Sequence, residues 1–432
     1  MIEVREEEER KVKCLLVAPP PKKNNLSSGE PKELMELCRT LGYETAGTVV
    51  LNRIEPNPVY GIGSGKANEI ANKAKEIFAD CIIFDFEIQS SKQRNWERLA
   101  GIPVFDRNEV IIRIFAQRAQ TKEAQLQVEL AKLIYSLPRL AHSYGDMARQ
   151  RGGSYGAKGS GETQLELDRR QVEDKITEIK KELEQVKINR ETQRKQRERN
   201  SSQVCALVGY TNAGKSSLLN ALTGADAFVE DKLFATLDPT TRKLPLAEGS
   251  SVLLTDTVGF ISNLPHTLID AFKSTLEETA LANFLVIVVD ASDPQCENQY
   301  MQVLKVLEEI HADKIPHITV LNKTDKIAED PVLISMLNLK FLDAIYISAK
   351  TQQGFEKLLS SITENLLGKL KKYSIPIQNA QLVELVRKNG TIEKEEWLEN
   401  TVELEARIPG FIDEEGKAST RTLSLLKDFM LN

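Results

Sequence analysis

The stretch GYTNAGKS at residues 209–216 has residue types and a spacing suited to holding a nucleoside phosphate. It reads G-x-x-x-x-G-K-S and lies between the apolar segments VCALV and SLLNALTG, the strand–loop–helix setting that this motif requires. Its glycines let backbone N–H groups turn toward phosphate oxygens, and the helix N-terminus adds its dipole. Lys215 would reach the β- and γ-phosphates and Ser216 would ligate Mg²⁺. The alternative is a glycine-rich turn that binds nothing.

A second candidate phosphate contact is DTVGF at 256–260, which ends the apolar segment SVLLT. Asp256 would hold Mg²⁺ through water, and Gly259 would offer its backbone N–H to the γ-phosphate. Alone, an Asp-turn-Gly after a strand also fits an ordinary loop. Many GTPases place a glutamine next to orient the attacking water, but here Phe260 follows. In one interpretation Phe260 is a packing residue, and the protein is a slow hydrolase or a pure nucleotide switch. In the other, different groups orient the attacking water, or a partner does so after docking.

NKTD, which ends at Asp325, and the later SAK segment predict guanine specificity. The Asp325 carboxylate can accept both the N1–H and the N2 amine of guanine. Adenine offers neither, so ATP would leave that buried carboxylate unpaired. Asn322 would bond the far side of the base and brace the P-loop, Lys323 would lay its stem over the purine, and the Ala349 N–H would lie near guanine O6. Each motif follows its own predicted strand. The motifs together, in this order, predict a guanine-nucleotide domain.

FATLDPTTR at 234–242 is the candidate magnesium-sensing loop. A GTPase needs a threonine here that contacts Mg²⁺ and the γ-phosphate and orders the loop only in the triphosphate state. The candidates are Thr236, Thr240 and Thr241. Threonine hydroxyls also commonly cap turns, which is the ordinary alternative.

Asn212 lies inside the P-loop, two residues before Gly214. In potassium-activated GTPases, which this motif resembles, an asparagine here helps to hold K⁺ beside the phosphates. That cation could neutralise charge that develops during hydrolysis, as an arginine finger does. The alternative is that Asn212 only accommodates a tight turn.

Composition limits the class of protein. The chain has 432 residues and a net charge of −6, which suggests roughly two to four domains. The five cysteines show no CxxC spacing and indicate a reducing compartment, and the four histidines show no metal-ligand spacing. The N-terminus lacks a secretory signal, and no apolar run approaches the roughly 18 residues of a membrane span. The expected location is cytoplasmic.

The order of apolar segments predicts four domains. Residues 1–117 alternate strands and helices, as in a small α/β domain with a parallel sheet. Residues 118–200 predict a long helical hairpin around a glycine-rich loop, with the first helix ending near Pro138. Residues 201–368 predict the P-loop GTPase domain, and 369–432 a small α+β C-terminal domain with at least one hairpin. The fold class is α/β, with a Ras-like P-loop domain.

The motif set, placed after GETQLELDRR, resembles the HflX family of translational GTPases over nearly the whole chain. The resemblance selects Thr236 as the magnesium-sensing threonine. It implies a GTPase with GTP as substrate and Mg²⁺ as cofactor that binds the large ribosomal subunit and its rRNA and acts in ribosome splitting, rescue or biogenesis. The loop GGSYGAKGSGE departs from the family's usual GGIGTRGPGE, being one residue longer and free of proline, which bears on its RNA contact.

The motifs and the resemblance together assign the site residues. Lys215, Asn212 and Thr236 would act in catalysis, and the metal would be held by Ser216, Thr236 and, through water, Asp256. The nucleotide contacts would be Gly209, Tyr210, Thr211, Asn212, Ala213, Gly214, Lys215, Ser216, Ser217, Phe234, Ala235, Thr236, Leu237, Asp238, Asp256, Thr257, Val258, Gly259, Asn322, Lys323, Thr324, Asp325, Ser348, Ala349 and Lys350.

Basic residues around the glycine loop are candidates for contacting RNA. Arg149, Arg151 and Lys158 could meet phosphates, and Tyr155 could stack on an exposed base. The alternative is a disordered connector. The basic stretch 187–199 could also neutralise RNA phosphates, although a solvated charged helix is favoured there.

Other function classes remain open. GIGSGK at 61–66 lacks the P-loop spacing and predicts a helix-capping turn, with ATP binding in this region as the alternative. The missing glutamine and the RNA-reaching region predict slow intrinsic GTP hydrolysis that ribosomes stimulate. One alternative is a GTP-controlled switch that acts on a protein partner or, through peripheral association, on a membrane. Another is ATP-dependent RNA remodelling by the N-terminal region. We expect a monomer.

Overall fold

A computed structural model of the chain describes residues 10–20, 31–53, 57–150, 160–199, 203–224, 232–234, 237–246, 250–262, 279–410 and 420–431. At 141–150, 160–165, 191 and 193–199 it describes the backbone only. The chain divides into two compact units. The first comprises Met1–Lys187, Glu230–Leu237 and Asn263–Phe272, and the second comprises Ile188–Val229, Asp238–Ser262 and Lys273–Asn432.

The first unit contains a parallel sheet whose described strands run in the order β2-β1-β3-β4. The two central strands are almost wholly buried and apolar, as expected where a parallel strand is covered on both faces. The strands are β1 (Lys13–Ala18), β2 (Glu44–Val50), β3 (Cys81–Phe84) and β4 (Val104–Asp106). The helices are α1 (Lys32–Thr40), α2 (Ser64–Glu76), α3 (Ser90–Ala100) and α4 (Arg107–Arg118).

Two long helices follow, α5 (Lys122–Gln150) and α6 (Ser160–Arg199). Buried Leu126 and Leu130 of α5 pack with buried Ile179 of α6, so the predicted apolar seam is present. The expectation that the first helix ends near Pro138 is wrong, because α5 continues through that residue to Gln150.

A buried carboxylate attaches α5 to the end of the first sheet. Asp106 accepts hydrogen bonds from the Glu109 backbone amide at 3.0 Å, the Tyr135 hydroxyl at 3.0 Å and the Arg139 guanidinium at 3.3 Å. It thereby caps α4 and holds α5 with one side chain. The Arg139 guanidinium also lies over the Tyr135 ring, 3.4 Å from its centroid. These contacts surround Pro138 and stabilise the helix on both sides of it.

The second unit contains a larger sheet whose described strands run in the order β10-β9-β8-β5-β7-β6. Only the edge strand β6 is antiparallel to its neighbour among these described strands. The strands are β5 (Val204–Gly209), β6 (Thr240–Pro245), β7 (Ser251–Asp256), β8 (Phe284–Asp290), β9 (His317–Asn322) and β10 (Ile345–Tyr346). The helices are α7 (Lys215–Thr223), α8 (Cys296–Glu309), α9 (Pro331–Lys340) and α10 (Phe355–Leu367).

The C-terminal segment of the second unit forms an antiparallel sheet in the order β12-β13-β11-β14. The hairpin predicted from KEEWLENTVELEARIPG is present as β12 and β13. The strands are β11 (Leu370–Pro376), β12 (Thr391–Trp397), β13 (Thr401–Arg407) and β14 (Met430–Leu431), with helices α11 (Gln381–Asn389) and α12 (Arg421–Leu426). The predicted fold class is therefore confirmed, whereas the four domain boundaries stay predictions.

All five cysteines lie in described segments, where they are buried free thiols. Among the described residues, no helix is both long and apolar enough to pass through a bilayer.

Candidate nucleotide-binding site

The carboxyl ends of parallel strands β5, β7, β8 and β9 lie at one edge of the second unit's sheet. In open α/β sheets this edge is where ligands bind. Each of the four strands ends at this edge, three of them at residues that the sequence predicts for phosphate, metal or base contacts and β8 at an aspartate. These residues are Gly209, Asp256, Asp290 and Asn322.

Two glycines give the P-loop its path from β5 into α7. Gly209 has φ +153°, and a Cβ there would lie 2.2 Å from the Val288 carbonyl oxygen. Gly214 has φ +92°, and a Cβ there would lie 2.3 Å from Nδ2 of Asn322. Both positions therefore require glycine, for conformation and for close approach.

Lys215 begins α7 and is buried. Its ammonium donates to the carbonyl oxygens of Tyr210 at 2.9 Å and Gly209 at 3.2 Å. Burial lowers the pKa of Lys215 to about 8, and the nearby Asp256 carboxylate partly opposes this shift. A polyphosphate at the P-loop would favour the charged form of this lysine, because an adjacent negative charge stabilises an ammonium.

The Ser216 hydroxyl donates to Oδ2 of Asp256 at 2.6 Å. A hydroxyl and a carboxylate both offer oxygen atoms, the ligand type that Mg²⁺ prefers. The two oxygen atoms are also close enough to bind one metal ion together. The neighbouring turn is closely packed, since a Cβ on Gly259 would lie 2.8 Å from Cα of Thr211 and 3.0 Å from Nζ of Lys215.

Phe260 joins the second phosphate loop to the P-loop through its main chain. Its carbonyl accepts from the Thr211 amide at 2.8 Å, and its amide donates to Gly209 at 3.1 Å. Its side chain is 2% exposed. The Tyr210 hydroxyl accepts from the Ser262 amide at 2.7 Å and adds a third link between the two loops. Phe260 is thus a packing residue in this arrangement.

The Asn322 side chain connects the two loops on either side of the expected base position. Its amide nitrogen donates to the Ala213 carbonyl at 2.9 Å, which is the predicted brace on the P-loop. Its amide oxygen accepts from the Ala349 backbone N–H at 3.0 Å. The Ser348 hydroxyl donates to Oδ1 of Asp325 at 2.6 Å and so orients the carboxylate that would read guanine.

The remaining predicted residues of the second unit lie on the same loops or at their ends. The Thr257 hydroxyl donates to Leu207 at 2.7 Å, and the Thr324 hydroxyl donates to Ile347 at 2.9 Å. The other positions are Ser217 in α7, half-exposed Asp238, buried Val258 after β7, and Lys350 after Ala349.

The candidate magnesium-sensing loop is only partly described. Ala235 and Thr236 lie outside the described residues. Phe234 and Leu237 are buried and belong to the first unit, where the Phe234 ring packs edge-to-face on Phe115 with centroids 4.6 Å apart. The predicted nucleotide contacts of Phe234 and Leu237 stay predictions.

The other threonines of that loop and the turn of the N-terminal domain are described. Thr240 and Thr241 lie in β6, and the Thr241 hydroxyl is 2.9 Å from that of Thr255, so neither occupies a loop. The predicted helix-capping turn is confirmed, since GIGSGK leads into α2 with Gly63 at the cap.

Most of the candidate RNA-contacting residues lie outside the described residues. Arg151, Tyr155 and Lys158 lie outside the described residues, and only the backbone of Arg149 is described. The basic stretch 187–199 is helical, with side chains described for few of its residues.

Sequence reasoning missed Asp290 and the connection of Tyr210 to Ser262. Asp290 is the first polar residue after the buried run FLVIVV, and it lies at the sheet edge that carries the site. A polar residue at the carboxyl end of a predicted parallel strand is a sequence feature from which this residue could have been predicted.

Three family models match consecutive parts of the chain. They are described as GTP-binding GTPase N-terminal (residues 29–116), GTP-binding GTPase Middle Region (118–197) and 50S ribosome-binding GTPase (204–323). A structure of a GTP-binding protein from Sulfolobus solfataricus in complex with GDP is 27% identical, covers 82% of this chain and 98% of that chain, and has a TM-score of 0.43.

Relatives of known family cover most of the chain. The GTPase HflX of Akkermansia muciniphila is 43% identical over 389 residues, which are 87% of this chain and 89% of the relative. The GTPase HflX of Escherichia coli is 40% identical over 382 residues, covering 88% and 89%. With the P-loop and the NKTD loop assembled at one sheet edge, these matches show that the chain belongs to the HflX family and is an enzyme that hydrolyses GTP.

Proposed function

We propose that this GTPase binds the large ribosomal subunit and its rRNA in its GTP form and acts in ribosome splitting, rescue or biogenesis. The observation that carries the proposal is the match of residues 204–323 to the family model described as 50S ribosome-binding GTPase. The match of residues 118–197, which include most of α5 and α6, to the model described as GTP-binding GTPase Middle Region supports the family assignment on which this proposal rests. The protein would act as a monomer in the cytoplasm.

The nucleotide would lie across the edge of the second unit's sheet. Asp325, oriented by Ser348, would accept the two guanine N–H groups, and Lys215 would contact the β- and γ-phosphates. The distances of 2.9 and 3.0 Å from Asn322 to the P-loop and to Ala349 support this assignment, because one side chain sets the spacing of the loops that would enclose the base.

The Ser216–Asp256 pair would hold Mg²⁺, with Ser216 as a direct ligand and Asp256 acting through water. Thr236 would complete the set, as the family resemblance implies. When bound, the metal would neutralise charge on the phosphate oxygens during transfer. Lys215 would stabilise the same charge from the protein side.

The attacking water has no side-chain partner at position 260. Phe260 is buried and held by its main chain. Intrinsic hydrolysis would therefore be slow, and the large subunit would supply or order the missing group. K⁺ near Asn212 would be a second source of catalytic charge.

Cosedimentation tests the proposal. Protein loaded with a non-hydrolysable GTP analogue is expected to pellet with purified large subunits, while GDP-loaded protein stays in the supernatant. GTP turnover at saturating GTP should also rise when large subunits are added. Equal pelleting in both nucleotide states, or unchanged turnover, would contradict the proposal and favour a switch for another partner.

The base site is tested separately with Asp325→Asn. Xanthine carries a carbonyl where guanine carries its amine, so an asparagine amide can donate to it where aspartate cannot. The variant should bind xanthosine triphosphate better than GTP. A variant that still prefers GTP would remove Asp325 from the base site.

A further inference from the structure

Lys323 has an uncommon backbone conformation, and two oxygen atoms contact its side-chain ammonium. Its φ of 63° lies in the left-handed region, which non-glycine residues rarely adopt. Its ammonium donates to the Asn212 carbonyl of the P-loop at 2.8 Å and lies 2.7 Å from Oδ2 of Asp290. The head of this lysine is thus fixed between the P-loop and the end of β8.

Asp290 is itself oriented by its surroundings. It ends β8 directly opposite Asn322 in the sheet register. Its Oδ1 accepts from the Ser292 amide at 2.9 Å and the Ser292 hydroxyl at 2.6 Å, which directs Oδ2 to the lysine. The side chains of Lys323 and Asp290 are 19% and 16% exposed. A pair this sheltered is screened less by salt than an exposed surface pair.

We propose that Asp290 is a positioning residue for guanine-nucleotide binding, because it holds the Lys323 ammonium against the P-loop and so fixes the lysine stem along the base. The proposal rests on the base site assigned above. A free lysine stem samples many rotamers and would lose that freedom when the nucleotide binds. The Asp290 carboxylate restricts the stem beforehand, which strengthens binding by preorganisation.

The expected signature separates binding from turnover. The base is common to GTP and GDP, so loss of Asp290 should weaken both nucleotides by the same factor. Asp290→Asn keeps the size of the side chain and an oxygen for Ser292 but removes the charge. We expect its Kd for GTP and GDP to rise about 10-fold, within the range for one charged hydrogen bond. The kcat at saturating GTP should stay within about 2-fold of wild type.

A double-mutant cycle provides the test. The variants are Asp290→Asn, Lys323→Met and the double variant, and Kd is measured with fluorescent GTP and GDP analogues on the full chain. If Asp290 acts through the lysine, the double variant should bind no more weakly than Lys323→Met alone. Ser292→Ala is the graded control: it removes the hydroxyl contact to Asp290 but keeps the Ser292 amide contact and the charge on Asp290, so it should raise Kd less than Asp290→Asn does.

Several outcomes would overturn the inference. These are an unchanged Kd in Asp290→Asn, additive losses in the double variant, or different factors for GTP and GDP. If Asp290→Asn does not fold, Asp290→Glu replaces it in the same cycle, and additive losses there again contradict the role. Asp325→Asn separates this failure from that of the base site. If it changes base preference while Asp290→Asn has no effect on Kd, only the positioning role fails.

Discussion

The backbone carbonyl of Phe260 accepts a hydrogen bond from the Thr211 amide at 2.8 Å. The position where many GTPases carry a water-orienting glutamine is therefore joined to the P-loop by its main chain, and its ring is buried. A missing glutamine here does not leave an open position. It leaves a buried ring on a backbone segment that is hydrogen-bonded to the P-loop.

Restoring the glutamine should not restore fast hydrolysis. Phe260→Gln would place an amide in an apolar site that is 2% exposed. We expect the free energy of unfolding to fall by about 1–3 kcal/mol, with no rise in kcat. Denaturant unfolding and single-turnover GTP hydrolysis measure the two effects. Phe260→Leu is the control, and it should lose less stability at similar kcat. A Phe260→Gln variant with several-fold faster hydrolysis would contradict the packing role.

Gly214 should be far less tolerant of a side chain than Gly224, although both have positive φ. A Cβ on Gly214 would lie 2.3 Å from Nδ2 of Asn322, whereas in the described part of the chain a Cβ on Gly224 would meet no atom within 4 Å beyond its chain neighbours and its own helix. Gly224→Ala should lose about 1 kcal/mol of stability and keep its GTP affinity. Gly214→Ala should bind GTP at least about 100-fold more weakly, because the Asn322 brace is displaced. Equal Kd values for the two variants would refute this difference.

Lys215 should make stability rise with pH. Its folded-state pKa is about 8, below the ordinary 10.5, because it is buried. Between these values the unfolded chain binds more protons than the folded chain, so stability increases with pH across that window. Relative to Lys215→Met, nucleotide-free protein should gain up to about 3 kcal/mol from pH 8 to 10.5. Urea unfolding at several pH values gives this difference, and parallel profiles for the two proteins would exclude it.

Potassium dependence tests Asn212. If K⁺ beside the phosphates supplies catalytic charge, GTP turnover should be at least about 10-fold faster in K⁺ than in Na⁺ at equal ionic strength. Asn212→Ala should remove that difference. The φ of Asn212 is 60°, so a turn role alone also fits its backbone. Equal turnover in the two salts would leave only that role.

The Arg139–Asp106 contact should matter for the stability of the first unit. Asp106 is 1% exposed, so Arg139→Ala would leave a buried carboxylate without its guanidinium. We expect a loss of about 3 kcal/mol or more in the free energy of unfolding. Arg169→Ala breaks an exposed pair with Glu173 and should change stability by less than about 0.5 kcal/mol. Similar losses in the two variants would show that Asp106 does not depend on Arg139.

Contiguous motifs could be read from the sequence because each carries its own strand, turn and helix signals. Lys215, Asn322 and Asp325 are predicted in this way, and the brace from Asn322 to the P-loop is present in the structure. Asp290 was missed because its partner Lys323 lies on the neighbouring strand's loop, and only the register of β8 and β9 brings the two together. The end of α5 was misread because a proline rule is local, while Asp106 stabilises the helix from another part of the chain.

The packing of Phe234 on Phe115 has a practical consequence for dissecting the protein. The segment Glu230–Leu237 interrupts the GTPase sequence, yet it belongs to the unit formed by the front of the chain. A fragment cut at residues 201–368 would therefore carry the buried Phe234 ring without Phe115, its partner. We expect such a fragment to self-associate, so the GTP hydrolysis measured on it would differ from that of the intact enzyme.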